Sequence, residues 1–353
     1  MTIGRGPLVS VVIPVHNGAN FLAKAIDSAR NQTYENIEII VVNDGSSDNG
    51  ATNAIIESYI PQIRSFNKLN GGVASALNLG IREASGSFVS WLSHDDEYLP
   101  RKIQSQIDML TTRGMKSVVY SGYRLVNSKS KTIETIDPAA LMTPRQLEDP
   151  LYPLMRRLIH GCSLLIPREA FLEIGMFDES LVHTQDYALW FEIFRAYGLV
   201  YDPNILTLSR RHKNQSSKTI PGQVAESDAL WVGILRKLTV DEMTRMSGSA
   251  FEFYREMSRL LSLTPYRKAY AYASLSEATA WKRLVDEDPT AAFPKQFRSP
   301  NPGSNLSPLS HIISAHMVKS FVHVLRRKGM KETTRLILIQ INQYIKRRSL
   351  KRE

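Results

Sequence analysis

Short β-branched segments alternate with helical segments along the first third of the chain, and this alternation constrains the fold more than any other feature. Val9 to Ile13 and Ile37 to Val42 are apolar runs with the length of buried strands. Between them, apolar residues from Phe21 to Ala29 recur at helical spacing. Further predicted strands are Phe88 to Leu92 and Ser117 to Tyr120, and further predicted helices are Val73 to Ala84 and Arg101 to Thr111. The pattern predicts an α/β fold with a mostly parallel sheet flanked by helices.

The second half of the chain has a different pattern. Lys129 to Leu158 contains four prolines and is predicted to be a connecting stretch, followed by a short strand at Ser163 to Ile166. From about Pro221 onward, the spacing of apolar residues is mainly helical. We therefore place a domain boundary near residue 220, between an α/β domain at residues 1–220 and a helical, basic region at residues 221–353.

The composition limits the classes of protein that this chain can be. Its 353 residues are 43% hydrophobic, which is enough for a sizeable buried core. Lys and Arg exceed Asp and Glu by 44 − 34 = 10, so an anionic partner such as a phosphate, nucleic acid or lipid headgroup is expected. The single cysteine, Cys162, excludes an intrachain disulfide and is typical of a reducing compartment. With no signal segment and no long apolar span in the sequence, we expect a cytoplasmic protein.

Polar residues directly follow the first two predicted strands. Pro14, Val15, His16 and Asn17 come after the first strand, and Asn43 to Asp48 come after the second. In such sheets, ligands bind beyond the carboxyl ends of the strands. A carboxylate there can accept hydrogen bonds from a base or a ribose, and an imidazole ring can lie against a base. The alternative is that both clusters only form turns, which Asn, Asp, Gly and Ser favour.

A third cluster contains two adjacent acids. Asp95 and Asp96 follow the predicted strand Phe88 to Leu92, which should deliver them to the same sheet edge. Adjacent carboxylates repel each other, and a hard divalent cation such as Mg²⁺ or Mn²⁺, shared with a diphosphate, would explain their placement. The alternative is that they cap a helix that begins near Leu99. The strand context favours the metal interpretation.

Three further segments carry polar residues whose roles the residues alone leave open. Asn70 to Gly80 is a glycine-rich start of a helix whose free N–H groups could face a phosphate. Asp186 opens an apolar helix, either as a general base or as a carboxylate stabilised by the helix dipole. Arg210 and His212 could cover a diphosphate leaving group or belong to a solvated loop.

The order of these clusters resembles glycosyltransferase family 2, whose fold is GT-A, over about residues 7 to 217. The matching motifs are SVVIPVHNG (Ser10 to Gly18), VVNDGSSD (Val41 to Asp48), NGGVASALNLG (Asn70 to Gly80), WLSHDDEYLP (Trp91 to Pro100), GCSLLIPREAFLEIGMFDES (Gly161 to Ser180) and TQDYALW (Thr184 to Trp190). The resemblance implies an inverting enzyme that uses Mn²⁺ or Mg²⁺. It would move a sugar from a nucleotide diphosphate, with a UDP-sugar expected, to a hydroxyl of a glycan or lipid-linked acceptor in the synthesis of a surface polysaccharide.

The same resemblance implies roles for individual residues. Asp186 matches the catalytic base, and Asp95 and Asp96 match the carboxylates that contact ribose, metal and diphosphate. The implied nucleotide-binding residues are Pro14, Val15, His16, Asn17, Asp44, Asn70, Gly72, Asn78 and Asp95. The residues implied at the acceptor wall or the phosphate-covering loop are Gly161, Cys162, Gln185, Trp190, Arg210 and His212.

The chain departs from the family pattern at three positions. Ser93 stands where many members have a first aspartate, Leu77 where many have arginine, and His16 where tyrosine is more usual. Because serine has no carboxylate to bind a metal ion, this departure affects the expected affinity for metal. The histidine keeps a flat ring for stacking and leaves the choice of base open.

The C-terminal region from Lys319 to Arg352 carries many basic residues around apolar ones. It is interpreted either as a basic amphipathic helix on an anionic membrane surface, at the inner face of the membrane, or as helices that pack on the domain or on a second subunit in a homo-oligomer. Nucleic-acid binding is not favoured, because the basic residues lack interleaved aromatic ones.

A nucleotidyltransferase would need a lysine-bearing glycine-rich loop after the first strand, and the sequence at that position does not provide one. A degenerate protein that only binds a nucleotide sugar remains the alternative function.

Overall fold

A computed structural model describes residues 6–213 and 221–287 of the chain. The chain divides into two compact units, Met1–Arg283 and Leu284–Glu353, and almost all described residues belong to the first. The basic segment from Lys319 to Arg352 lies outside the described residues, so its predicted role stays a prediction. Among the described helices, none combines the length and the apolar character needed to cross a membrane.

The first sheet has five strands in the order β3-β2-β1-β4-β8. Strands β1 to β4 are parallel, whereas β8 pairs with β4 in the antiparallel direction. The strands are β1 (Val9–Val15), β2 (Ile37–Asp44), β3 (Arg64–Lys68), β4 (Phe88–Trp91) and β8 (Ile166–Pro167). Every residue of β1 is buried, as expected for a central strand covered on both faces.

Helices connect and cover these strands as the sequence pattern predicts. Between the parallel strands lie α1 (Leu22–Arg30), α2 (Ala51–Ser58) and α3 (Gly72–Glu83), and α4 (Lys102–Arg113) follows β4 and β5. The predicted helices at Phe21 to Ala29, Val73 to Ala84 and Arg101 to Thr111 are therefore confirmed within one or two residues. The alternative that Asp95 and Asp96 cap a helix near Leu99 is not supported, because a short strand, β5 (Glu97–Tyr98), lies between these acids and α4.

A second sheet of four strands has the order β5-β9-β6-β7. It consists of β5, β6 (Val118–Asn127), β7 (Thr132–Ile136) and β9 (Leu199–Arg211), with β6 and β9 parallel. The stretch from Lys129 to Leu158, predicted as a connection, therefore contains a strand and also two short helices, α5 (Pro144–Leu147) and α6 (Tyr152–Met155). Pro144 and Pro153 lie in the first turns of these helices, where proline is tolerated because its missing N–H has no partner to lose.

The predicted strand at Ser163 to Ile166 forms only in its last part. Gly161–Ser163 is a single 3₁₀ turn, and Leu165 makes an isolated antiparallel bridge to Val119 before β8 begins. The helices that follow are α7 (Arg168–Glu173), α8 (Gln185–Tyr197), α9 (Gln223–Lys237), α10 (Val240–Ser247), α11 (Ala250–Ser262) and α12 (Arg267–Glu287). The expectation of a mainly helical pattern after Pro221 is confirmed as far as residue 287.

The helices after residue 221 share a hydrophobic core with the α/β part of the chain. Trp231 and Leu235 of α9 belong to the same buried cluster as Trp190 of α8 and Val12 of β1. Tyr187 of α8 also contacts Trp231, with 6.3 Å between the ring centres. Helix α9 therefore packs directly on α8, whose first turn contains Asp186. The proposed division of the chain near residue 220 stays a prediction.

Two buried polar side chains of α4 hold the segment that contains Cys162. Lys102 is fully buried, and its Nζ donates to Ser90 Oγ and, at 2.9 Å, to the carbonyl of Leu164. Gln106 is also fully buried and donates to the carbonyl of Ser163 at 2.7 Å. Unpaired buried carbonyls are costly, so these bonds stabilise one conformation of the turn.

The buried Lys102 predicts a dependence of stability on pH. Burial lowers the pKa of Lys102 to about 7, although the charges of Cys162 and Asp202 oppose the shift. Between about pH 7 and pH 10 the unfolded chain therefore binds more protons than the folded one, and stability rises with pH, by at most about 1.4 kcal/mol per unit. A Lys102→Met variant lacks this contribution. When unfolding in urea is measured at pH 7 and pH 9, the free energy of unfolding should rise more in the wild type than in Lys102→Met. Equal changes in both proteins would contradict the expected effect of Lys102.

Candidate functional site

The carboxyl ends of β1, β2 and β4 meet at one edge of the first sheet. The register pairs Val15 with Asn43, Asp44 with Lys68, and Val12 with Trp91. The three polar clusters that follow these strands are therefore brought to the same edge, as the sequence predicts.

The first two clusters contact each other through side chains and backbone. His16 is exposed, and its Nδ1 lies 2.9 Å from the carbonyl oxygen of Asp44 and 2.9 Å from Asn70 Nδ2. The backbone N–H of Asn17 donates to Ser46 Oγ at 2.9 Å, and its Oδ1 accepts from the N–H of Ser47 at 2.7 Å. His16 and Asn70 thus form an exposed polar surface on which a flat ring could lie.

Asp44 is a buried carboxylate with three donors. Its Oδ1 accepts from Lys68 Nζ at 2.7 Å and from the N–H of Gly71 at 2.9 Å, and its Oδ2 accepts from the N–H of Gly72 at 2.8 Å. Gly72 has φ of +88°, a left-handed conformation that favours glycine. The carboxylate therefore fixes the start of α3, and Oδ2 keeps acceptor capacity for one further donor.

The third cluster approaches the first at Gly18. A Cβ at Gly18 would lie only 2.6 Å from His94 Cδ2, so glycine permits this close approach. Burial lowers the pKa of His94, which favours its neutral form. The ring of Phe21, just before α1, lies 5.2 Å from the ring of His212 between centres. The segments around residues 18, 94 and 212 are therefore packed together.

The side chains of Asp95 and Asp96 make different contacts. Asp95 Oδ2 lies 2.9 Å from His212 Nε2, and both side chains are 13% exposed. Asp96 is buried, with Oδ1 accepting from the N–H of Arg210 at 2.7 Å and Oδ2 accepting from Cys162 Sγ at 3.2 Å. Burial and then the neighbouring charge of Asp95 raise the pKa of Asp96 to about 8. Neither acid caps α4, whose N-terminal residue Arg101 makes no side-chain cap.

Arg210 belongs to strand β9 and is 1% exposed, so the prediction of a loop position is wrong for this residue. Its guanidinium donates to the carbonyl of Asp95 at 2.9 Å, makes an ion pair with Glu97 and lies 4.7 Å from the centre of the Phe21 ring. Arg210 therefore organises the backbone that carries the two acids. Its predicted contact with phosphate stays a prediction. Gln215 and Ser216, which follow it in the sequence, lie outside the described residues.

Gly161 joins the third cluster to α8. A Cβ at Gly161 would lie 2.6 Å from Trp91 Cε3 and 3.3 Å from Trp190 Cζ2. The centres of the Trp91 and Trp190 rings are 6.4 Å apart, and Tyr187 donates to the carbonyl of Ile159 at 3.2 Å. Aromatic rings thus connect the end of β4 with the first turn of α8.

Asp186 lies in this first turn of α8. Burial raises the pKa of Asp186 to about 6, a hydrogen bond of 2.7 Å from the N–H of Tyr187 partly opposes the rise, and the charge of Glu226 adds to it. A carboxylate with this pKa is mostly ionised at neutral pH and can still take up a proton there, which is what a general base requires.

Several residues of the site carried no recognisable signal in the sequence. Glu226 of α9 accepts hydrogen bonds from the N–H groups of Val182, His183 and Thr184, just before α8. Glu97 pairs with Arg210, and Lys68 with Asp44. All three contacts join residues far apart in sequence, so no local motif could indicate them.

The remaining predicted residues are less directly placed at the sheet edge. Pro14 and Val15 are buried in the end of β1. The amide of Asn78 is fully used by the backbone of Phe177 and by Glu179 Oε1, at 2.8–3.0 Å. Gln185 is 5% exposed, and its Oε1 is buried without a hydrogen-bond partner among the described residues. The nucleotide and acceptor roles of these residues stay predictions.

Comparison with known proteins gives matches of three kinds. The family Glycosyl transferase family 2 matches residues 10–175. A protein named as a glycosyltransferase from Rickettsia bellii is 52% identical over 76% of this chain, which spans 39% of that protein, and one from Rickettsia prowazekii is 47% identical over 76% of this chain and 84% of its own length. The Escherichia coli protein UDP-Glc:alpha-D-GlcNAc-diphosphoundecaprenol beta-1,3-glucosyltransferase WfgD is 29% identical over 53% of this chain and 70% of its own length.

Among solved structures, TarS 1–349 from S. aureus in complex with UDP-GlcNAc has a TM-score of 0.51 at 14% identity, over 79% of this chain and 91% of that one. At this identity the likeness concerns the fold, which agrees with the expected GT-A architecture. The sheet edge with its three polar clusters, the aromatic connection to α8 and the high identity to the R. prowazekii protein over most of its length lead to one conclusion. The chain belongs to glycosyltransferase family 2.

Proposed function

We propose that the protein is an inverting glycosyltransferase that moves a sugar from a nucleotide diphosphate, a UDP-sugar, to a hydroxyl group of a glycan or lipid-linked acceptor. The observation that carries the proposal is the linked pair of sites just described. The surface around His16 and Asp44, which could hold a nucleotide base, lies at the same sheet edge as Asp95. The Trp91–Trp190 contact connects that edge to the helix that carries Asp186. A donor site and a general base on adjoining segments are what this reaction requires.

The proposed reaction uses the groups described above. Asp186 accepts the proton of the acceptor hydroxyl while its oxygen attacks the anomeric carbon. A new C–O bond forms on one face as the bond from that carbon to the diphosphate oxygen breaks on the other, so configuration inverts. The leaving group departs as the nucleoside diphosphate. Asp44 is held by the start of α3, and one of its carboxylate oxygens can still accept a hydrogen bond from the nucleotide base.

A divalent cation fits the pair formed by Asp95 and His212. The two side chains lie at hydrogen-bond distance and are partly exposed, whereas Asp96 points into the interior, so we assign the cation to Asp95 and His212 and a supporting role to Asp96. A bound Mn²⁺ or Mg²⁺ would offset the negative charge that grows on the leaving diphosphate. Mg²⁺ and Mn²⁺ commonly keep few protein ligands and take the rest from phosphate and water.

The similarity to WfgD supports both the donor and the acceptor class. The name of that E. coli protein specifies UDP-glucose as donor and a lipid diphosphate-linked sugar as acceptor. It supports a role for this chain in surface glycan synthesis at a membrane-linked substrate.

The test is turnover with a panel of donors. The full chain is incubated with UDP-, GDP- and dTDP-sugars and Mn²⁺, with and without glycolipid acceptors, and release of the nucleoside diphosphate is measured together with the melting temperature. We expect release from a UDP-sugar. A melting shift without release under any condition would favour the alternative of a nucleotide-sugar-binding protein without activity, and the absence of both would refute the proposal.

An Asp44→Asn variant tests the nucleotide site separately. The substitution keeps the shape of the side chain but removes the charge that holds Lys68 and the N–H groups of Gly71 and Gly72. Hydrogen bonds to a charged group contribute about 1.5–3 kcal/mol each, so we expect UDP to bind at least about tenfold more weakly. Calorimetric titration with UDP measures the change. An unchanged affinity for UDP would mean that the nucleotide base binds elsewhere.

A further inference from the structure

Three side chains with different ligand atoms converge beneath the Asp95–His212 pair. Asp96, His160 and Cys162 bring a carboxylate oxygen, an imidazole nitrogen and a sulfur within 4.8 Å of one another. Asp96 is 4% exposed and Cys162 is 1% exposed, so the cluster lies inside the protein. His160 and Cys162 come from the turn at Gly161–Ser163, and Asp96 comes from the segment after β4. The sequence did not predict that these three residues lie together.

The distances suit a tetrahedral transition-metal ion. Asp96 Oδ2 lies 3.2 Å from Cys162 Sγ and 3.8 Å from His160 Nε2. Zinc bonds of about 2.0–2.3 Å separate tetrahedral ligand atoms by about 3.3–3.6 Å. Shifts of a few tenths of an ångström in Asp96 and of at most about an ångström elsewhere would therefore give three ligands and leave a fourth position for water.

The donor set selects the class of ion. A thiolate beside an imidazole and a carboxylate favours Zn²⁺ and similar ions over Mg²⁺, Ca²⁺ and Mn²⁺, because these harder ions bind sulfur weakly. His160 Nε2, the ring nitrogen that lies 3.8 Å from Asp96 Oδ2, also contacts Ser209 Oγ at 3.0 Å, so an ion bound at Nε2 would replace this contact. The other ring nitrogen, Nδ1, is buried without a hydrogen-bond partner among the described residues.

Neighbouring groups already orient the ligands. The N–H of Ser93 points at Cys162 Sγ at 3.2 Å, Thr207 Oγ1 donates to the carbonyl of Cys162 at 3.2 Å, and the N–H of Arg210 holds the other oxygen of Asp96. Supporting hydrogen bonds of this kind fix ligand orientation in metal sites.

We propose that Asp96, His160 and Cys162 bind Zn²⁺ or a chemically similar transition-metal ion, at a site separate from the Asp95–His212 pair. On binding, the proton of the Cys162 thiol and any proton on the Asp96 carboxyl group are released to solvent, and the sulfur coordinates the ion as a thiolate beside the Asp96 carboxylate. The ion ties the segment after β4 to the Gly161–Ser163 turn, and so stabilises the wall beside Trp91. The site does not depend on the proposed glycosyl transfer.

The chain has one cysteine, so a metal–thiolate signal can come only from Cys162. The full chain, freed of metal, is titrated with Co²⁺, and sulfur-to-cobalt charge-transfer absorption is recorded in the near ultraviolet. We expect a band that saturates at one Co²⁺ per chain and disappears when Zn²⁺ is added. Cys162→Ser should abolish the band, and His160→Asn should weaken Co²⁺ binding more than about tenfold.

Asp95→Asn is the matched control, since it alters the neighbouring pair and should keep the charge-transfer band. X-ray absorption at the zinc edge of the wild-type chain gives a readout that needs no variant, and one sulfur ligand is expected. Zinc or cobalt that binds without sulfur, or no binding at all, would overturn the proposal. Zn²⁺ affinity that falls in Asp95→Asn and not in Cys162→Ser would assign the ion to the Asp95–His212 pair instead.

Discussion

Replacing Asp186 by Asn is expected to lower turnover about 10²- to 10⁴-fold, the range for loss of a general base. Asparagine has the same shape and can still accept the hydrogen bond from the N–H of Tyr187, but it cannot take up the proton of the acceptor hydroxyl. Binding of UDP should be unchanged, because Asp186 makes none of the hydrogen bonds described around His16 and Asp44. The measurement is the rate of nucleoside diphosphate release with acceptor, together with UDP affinity.

The pH dependence of the wild type gives a second readout of the same residue. Since the pKa of Asp186 is raised to about 6, the base is protonated below that value, and kcat/KM should fall about tenfold per pH unit there. Asp178→Asn is the control, because Asp178 is exposed in the preceding loop and its carboxylate accepts hydrogen bonds from the N–H and hydroxyl of Ser180. Equal losses in the two variants would mean that a neighbouring structural change, and not the base, explains the effect.

The strand ends could be predicted because their signal is local. A β-branched run followed at once by Asn, Asp, Gly or His both forms the strand and delivers the polar residues to its end. His16, Asp44 and Asp95 were therefore found from the sequence, and the register brings them to one sheet edge. Helices α1, α3 and α4 were also predicted, since each buries apolar residues at helical spacing, whereas α2 was not predicted.

The second sheet and much of the site could not be predicted in this way. The long β9 passes through Asp202 and Pro203 and pairs with β6 despite register shifts, so neither strand has a clean alternating pattern. Arg210 was predicted in a loop because its partners, Glu97 and the ring of Phe21, are more than a hundred residues away in sequence. Asp96 was grouped with Asp95, but the turn after β4 directs the two side chains to different neighbours.

Glu226 shows why the helical region after residue 221 matters to the site. Its Oε1 accepts from the N–H of His183, the N–H of Thr184 and Thr184 Oγ1, all at 2.8 Å, and its Oε2 accepts from the N–H of Val182 at 3.2 Å. Burial opposes ionisation, but these hydrogen bonds hold the pKa of Glu226 below its usual range. An ionised carboxylate from α9 therefore fixes the backbone two residues before Asp186 and also raises the pKa of the Asp186 carboxyl group.

These two effects of Glu226 can be separated with two substitutions. Glu226→Ala removes all four hydrogen bonds and should lower kcat about 10- to 100-fold, because misplacement of a base by about 1 Å has an effect of this size. Glu226→Gln keeps an oxygen at the Oε1 position, so most of the bonds and most of the turnover at neutral pH should remain. The lost charge should let the pKa of Asp186 fall, and the acid limb of the pH profile should move to lower pH. Full pH profiles of the two variants are the measurement.

Asp228→Asn provides the control for general loosening of α9. Asp228 lies two residues further along the same helix and holds the N–H groups of Lys268 and Ala269 at the start of α12, at 3.0 and 2.7 Å. Its loss should lower stability without moving the acid limb, because it contacts a different helix. If the acid limb of Glu226→Gln lies where it does in the wild type, then Glu226 acts only by holding the backbone. If the acid limb shifts in both Glu226→Gln and Asp228→Asn, then the pKa of Asp186 responds to any disturbance of α9. A shift confined to Glu226→Gln would establish that a residue beyond position 220 tunes the base, which makes the helical region part of the catalytic unit.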